Sequence, residues 1–250
     1  MFVIIISAVM IGLSLGLLGS GGAILTVPAL IYGVGMNEKS AIASALFIVA
    51  SISLFSSVNN IITQKIAWKN ISGFAIPGLF ASYLGALAGS YIAGYIQLFI
   101  FAMVILFAAF HTLKLNNHAI QKQSSLPKII MTGFLVGFLT GLVGVGGGFL
   151  IVPALIILLN LPLRQAVASS LIIISLNSLV AFGRYAITFN RDAIEFNWLV
   201  IIIFILLGTC GSYLGQFFAN KLNPKWLQQG FAYLLICLSI FTFYQSIKLI

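Results

Sequence analysis

Charged residues are scarce in this sequence. Only 6% of the 250 residues are charged, whereas 61% are hydrophobic. A soluble domain carries about a quarter charged residues, so a soluble fold is excluded. Residues 1–37 and 71–109 hold no charged side chain, and about 20 apolar residues are enough to cross a bilayer. We therefore predict an all-α polytopic membrane protein whose surroundings are the lipid bilayer.

Acids, histidines and cysteines are also few, which limits the chemistry available. The acids Glu38, Asp192 and Glu195 all lie in connections, so no apolar segment offers a carboxylate for a proton relay. Cys210 and Cys237 are expected to be small hydrophobic residues inside the bundle. No catalytic triad, metal-ligand cluster or ATP-binding loop occurs. We predict no enzyme activity and no catalytic residues, and we expect neither a metal nor a cofactor.

The net charge of +9 does not indicate nucleic acid, because the basic residues lie almost all in short connections. They follow the positive-inside rule instead. Eight lie on the side of the central loop and four on the other: Lys65, Lys69, Lys114, Lys122, Lys128, Arg164, Lys221 and Lys225, against Lys39, Arg184, Arg191 and Lys248. This distribution predicts a cytoplasmic central loop and external termini in a plasma (bacterial inner) membrane. The first segment lacks a basic flank, so we do not expect a cleaved signal peptide.

The most informative motif occurs twice. Residues 16–31 read GLLGSGGAILTVPALI, and residues 141–156 read GLVGVGGGFLIVPALI, at an offset of 125 residues. Ser82-Tyr-Leu-Gly85 recurs as Ser212-Tyr-Leu-Gly215 at an offset of 130. The chain is therefore a duplication, and internal repeats of this kind are typical of secondary transporters.

Ten apolar segments follow from the pattern, five in each half. They run over about 2–18, 21–35, 40–63, 71–93, 97–115, 128–144, 146–160, 164–189, 196–220 and 226–248. We predict a first membrane repeat at residues 1–115, a central polar loop at 116–127 and a second membrane repeat at 128–250. An odd number of segments per half predicts inverted repeats. Rows of small residues in segments 4 and 9 suit assembly, which leaves a homodimer open.

The glycine clusters predict broken or re-entrant helices, because glycine leaves helical geometry without strain and proline removes a hydrogen bond. A new helix would begin at each break, and its N-terminus favours anions. Close helix packing is the alternative role of these glycines. Arg184 is either a partner for an anion or a boundary charge that reaches the interface. The predicted substrate-binding residues are Gly19, Ser20, Gly21, Gly22, Gly144, Val145, Gly146, Gly147, Gly148, Asn59, Asn177 and Arg184.

Both glycine clusters, each followed by Val-Pro-Ala-Leu, resemble the TauE/SafE sulfite exporter family, also called TSUP. The resemblance covers the whole chain, although Ser20 and Ala23 stand in the first copy where the second has Val145 and Gly148. It implies a transporter of sulfur-containing anions such as sulfite or organosulfonates. We expect a secondary carrier or facilitator for such an anion that works by alternating access. The alternatives are a channel or carrier for another small anion, a membrane scaffold without transport, and an enzyme that uses a cysteine to carry sulfur.

Overall fold

The computed structural model describes residues 2–19, 21–62, 66, 68–114, 124–144, 148–187, 196–219, 221 and 224–248. Within these ranges the chain is helical, without strands. The helices are α1 (Phe2–Leu18), α2 (Gly21–Pro28), a π-helical segment (Ala29–Val34), α3 (Glu38–Ile62), α4 (Trp68–Tyr91), α5 (Gly94–Lys114), α6 (Leu126–Val143), α7 (Gly148–Leu159), α8 (Leu163–Ile187), α9 (Trp198–Ala219) and α10 (Pro224–Lys248). Each predicted apolar segment corresponds to a helix. Most of the predicted central loop lies outside the described residues.

Five helices are long and apolar enough to cross a bilayer, namely α3, α4, α6, α8 and α9. In the other helices the described apolar stretches are shorter, at 10–17 residues. The all-α membrane fold predicted from composition is therefore confirmed.

The first two helices form a hairpin. Gly22 at the start of α2 packs against Ile11 and Leu15 of α1, and Gly33 lies beside Val3. Since α2 returns along α1, the two helices are antiparallel. Pro28 has no N–H for the helical ladder, and after it the helix continues as the wider π-helical segment.

Helices from the two halves interlock through small residues. Gly12 of α1 faces Gly208 of α9, and Gly16 faces Ser212, so closely that a Cβ at either glycine of α1 would collide with backbone of α9. Because both sequence numbers increase together, α1 and α9 run in the same direction. Direct backbone contact through small residues is a common way for helices to associate in membranes.

The same arrangement recurs between α4 and α6. Gly133 meets the backbone of Phe74, Gly137 meets Gly78, and Gly141 meets the carbonyl of Ser82. These two helices also run in the same direction. The small-residue rows of segments 4 and 9, which we expected to suit assembly, are thus occupied by α6 and α1 of the same chain.

Helices α3 and α8 form the centre of the bundle. Ser175 Oγ of α8 donates a hydrogen bond of 3.0 Å to the carbonyl of Ala50 in α3. These two residues are equivalent at the 125-residue offset.

Candidate functional site at the helix breaks

Both glycine clusters end a helix in the same way. Gly19 has a φ of +67° and Gly144 a φ of +77°, which is the left-handed region. Their N–H groups donate to the carbonyls of Leu15 at 2.8 Å and Thr140 at 3.0 Å. Only glycine adopts this conformation routinely, and a new helix begins after each turn. The predicted helix breaks are confirmed.

Each break lies against the central helix of the other half. A Cβ on Gly19 would lie 2.7 Å from Val167 Cγ1 of α8, and a Cβ on Gly144 would collide with Ile42 of α3. Val167 and Ile42 are equivalent at the 125-residue offset. Each is about 12 Å along its helix from the central contact between α3 and α8, at a rise of about 1.5 Å per residue. The two glycine turns therefore occupy separate positions, although α2 and α7 touch each other.

The first break is held by a serine that the sequence analysis did not single out as its partner. Ser170 Oγ of α8 donates 3.0 Å to the carbonyl of Gly19. The equivalent residue of the first half is Ala45, which has no hydroxyl. The two breaks therefore have different hydrogen-bonding surroundings despite their common sequence.

Asn177 is a buried polar residue without a partner. Its side chain is 0% exposed and points at α4, where a Cβ on Gly78 would lie 3.4 Å from its Nδ2. Neither its amide nitrogen nor its amide oxygen has a hydrogen-bond partner in the described part of the chain. A buried unpaired amide is costly, and the equivalent residue of the first half is Ile52. The second half thus carries unused hydrogen-bonding capacity.

Arg184 lies two helical turns beyond Asn177 on a similar face of α8. It is 9% exposed. Its guanidinium nitrogens are not among the fully enclosed, unpartnered side-chain atoms of the described residues. A largely buried arginine in a membrane protein is expensive and is a functional candidate by default.

Gln97 connects Arg184's neighbourhood to the second break. This α5 residue is 0% exposed, and its Nε2 donates 2.7 Å to the carbonyl of Leu142 and 2.8 Å to the hydroxyl of Tyr185. Leu142 lies in the last turn of α6, just before the break, and Tyr185 follows Arg184 in α8. Sequence reasoning missed Gln97, although a single glutamine in an apolar segment is a usable signal. The residue at the 130-residue offset is Leu227, so only one half has this glutamine.

Of the other predicted site residues, some have described contacts, some have only a described backbone, and the rest lie outside the described residues. Gly22 packs on α1, and Gly148 begins α7. Asn59 lies in α3, the equivalent of Arg184 in the first half, and its side chain is outside the described residues. The backbone of Gly21 begins α2. Ser20, Val145, Gly146 and Gly147 also lie outside the described residues, so their contacts stay predictions.

The positions of the two cysteines differ from the sequence prediction. Both Cys210 and Cys237 are free thiols at exposed positions, and not in the bundle interior as predicted. In α9, Gly208, Gly211 and Gly215 pack against α1, which leaves Cys210 on another face of the helix. The described residues contain no group of three or more His, Cys, Asp or Glu side chains that could hold a metal.

The fold and its two broken helices define a polytopic helical membrane protein with a duplicated half, a build typical of transporters. The chain belongs to the sulfite exporter TauE/SafE family, which matches residues 4–242. It is therefore an integral membrane protein of a transporter family.

Relatives in bacteria and archaea carry transporter names. A probable membrane transporter protein of Xylella fastidiosa is 30% identical over 246 residues, covering 95% of this chain and 92% of the relative. One of Methanocaldococcus jannaschii is 30% identical and covers 88% of each chain. One of Bacillus subtilis is 29% identical, covering 89% of this chain and 91% of the relative. No solved structure matches at a significant level.

Proposed function

We propose that this protein is a secondary carrier or facilitator for a small sulfur-containing anion such as sulfite or an organosulfonate. The observation that carries the proposal is Arg184, which is 9% exposed and directly precedes Tyr185, the residue that Gln97 links to the second helix break. A guanidinium binds an oxyanion through two parallel N–H donors. An anionic substrate would supply a charge that compensates Arg184.

The start of α7 adds to this positive environment. The N-terminus of a helix carries about half a positive charge and unpaired N–H groups. Gln97 ties the end of α6 to Tyr185, which keeps this break near Arg184. Asn177 offers an unpaired amide two turns along the same helix face. The substrate site that we propose therefore lies in the second half, with Arg184 as its charged group.

Inverted halves would let the site open to either side in turn. Helix directions support the inversion, because α4 and α8 run in the same direction, with Gly78 beside Asn177 and Gly89 beside Tyr185, whereas α3, the equivalent of α8, runs opposite to α4. Lys39 near the start of α3 binds the carbonyl of Gly89 near the end of α4, so these neighbours are antiparallel. In our proposal, each break faces a different side of the membrane, and movement of one half against the other gives alternating access. The central loop is cytoplasmic and both termini are external, in a bacterial inner membrane.

A scaffold or sulfur-carrying enzyme is less well supported. The small-residue rows of α4 and α9 contact helices of the same chain, so they are not free for assembly. Cys210 and Cys237 lie at exposed positions of two different helices, α9 and α10. Uptake measurements distinguish our proposal from a carrier or channel for another small anion.

The test is anion uptake into proteoliposomes that contain the purified protein. We expect labelled sulfite, thiosulfate or an organosulfonate to enter faster than into protein-free liposomes, and faster than labelled acetate. Uptake of acetate alone would indicate a different anion carrier, and no uptake of any anion would contradict transport.

A pair of glycine variants tests whether anion flux depends on the second helix break. Gly144→Ala forces a side chain into left-handed backbone against Ile42 and should reduce the flux. Gly183→Ala on α8 has open space around its Cβ and should leave the flux unchanged. Equal anion flux in both variants would show that transport does not depend on the second helix break.

A further inference from the structure

A groove on the outside of the bundle lies between α5, α6 and α7. Its volume is about 550 Å³, within the range of ligand-binding pockets. Apolar side chains form most of its lining, and Lys128 and Thr132 of α6 are its polar members. Thr132 donates to the carbonyl of Lys128 at 2.8 Å, so the Lys128 ammonium is the unused polar group. Arg184 is not part of the lining.

The groove has a charged end and an apolar body. Lys128 lies in the first turn of α6 and its side chain is exposed. From Lys128 to Leu139 the groove follows α6 for about 16 Å at the α-helical rise. Such a shape fits a molecule with an anionic head and a long apolar tail.

Its position favours a lipid over a small oxyanion. Met103 and Phe107 of the lining are 51% and 68% exposed, so the groove opens on the outer surface of a membrane protein. Apolar walls do not compensate an oxyanion for its lost hydration. Basic pockets between membrane helices on the cytoplasmic side bind anionic lipid headgroups, and each buried CH₂ group of an acyl chain adds to the affinity.

We propose that this groove binds an anionic phospholipid, with its phosphate on Lys128 and an acyl chain along α6. Leu150, Pro153 and Ala154 of α7 form one wall. The acyl chain therefore touches the helix that starts at the second break.

Native mass spectrometry of the delipidated protein in detergent tests the proposal with phosphatidylglycerol and phosphatidylcholine of identical chains. We expect wild-type protein to bind phosphatidylglycerol more tightly. Lys128→Gln should reduce that binding by about fivefold and remove the preference. Lys221→Gln is the matched control, since Lys221 is exposed and lies 4.4 Å above the Phe217 ring instead of in the groove. Ala154→Phe should fill the groove and weaken both lipids.

Four results would overturn the proposal. Equal binding of the two lipids by wild-type protein would show that the groove does not recognise the headgroup. Equal loss of phosphatidylglycerol binding in both lysine variants would show a general effect of positive charge. Competition by glycerol phosphate as effective as by whole lipid would assign the site to a free phosphate ester. A lipid-free dimer that Ala154→Phe dissociates would assign the groove to a second copy of the chain.

Discussion

Gln97→Leu is the variant that best isolates the asymmetry between the two breaks. Gln97 donates to the Leu142 carbonyl and the Tyr185 hydroxyl from a fully buried position. Leucine has a similar size and is the natural residue at the corresponding position, Leu227. The substitution therefore removes two hydrogen bonds without opening a large cavity.

The expected cost follows from these two bonds. A neutral hydrogen bond contributes about 0.5–1.5 kcal/mol, and bonds between membrane helices average about 0.6 kcal/mol. Gln97 Oε1 is buried without a partner, so leucine also removes an unfavourable group. We expect a net loss of about 1–2 kcal/mol, which lowers the population with α6 docked on Tyr185 by about 5- to 30-fold.

Thermal unfolding in detergent and sulfite uptake in proteoliposomes measure the two consequences. Gln97→Leu should lower the Tm and raise the half-saturating sulfite concentration. The matched control is Gln216→Leu in α9, which removes a 3.0 Å bond to the carbonyl of Ser56. It should lower the Tm without changing the half-saturating concentration. A Gln97→Leu variant with wild-type Tm and wild-type uptake would refute the connection between Gln97 and the site.

Three further predictions test other parts of the structure. Gly16→Ala places a Cβ against backbone of α9 and should cost about 1–3 kcal/mol, seen as a lower Tm, whereas Gly230→Ala has no atom within 4 Å and should not. Lys39→Gln removes an ammonium that binds three carbonyls at the end of α4; it should cost about 1 kcal/mol, and an unchanged Tm would show that this cap is unimportant. Replacing Cys210 and Cys237 together by alanine should leave sulfite uptake intact, and loss of uptake would restore the sulfur-carrier alternative.

The helix breaks were predictable because their cause is local. Gly19 and Gly144 adopt left-handed backbone that only glycine takes readily. The repeated sequence around them made a structural role more credible than a chance cluster. Helix ends were predicted to within a few residues because charged or polar connections separate the apolar segments.

Long-range partners could not be read from the sequence. The small-residue rows indicated close helix packing, but they did not indicate that α4 packs against α6 and α1 against α9. Gln97 and Lys39 act on helix ends that lie far away in the chain. Burial of Arg184 also depends on how α8 packs, so its charge could be noticed in the sequence but its exposure could not.

The Arg184 charge is the central element of the proposed transport site, and the concentration dependence of sulfite uptake tests it most directly. A hydrogen bond to a charged group is worth about 1.5–3 kcal/mol. Arg184→Gln should therefore raise the half-saturating sulfite concentration about tenfold or more. Arg184→Lys should recover part of the loss, and Arg164→Gln, at an exposed position of the same helix, should remain close to wild type. Half-saturation of Arg184→Gln at the wild-type concentration would contradict the proposed site.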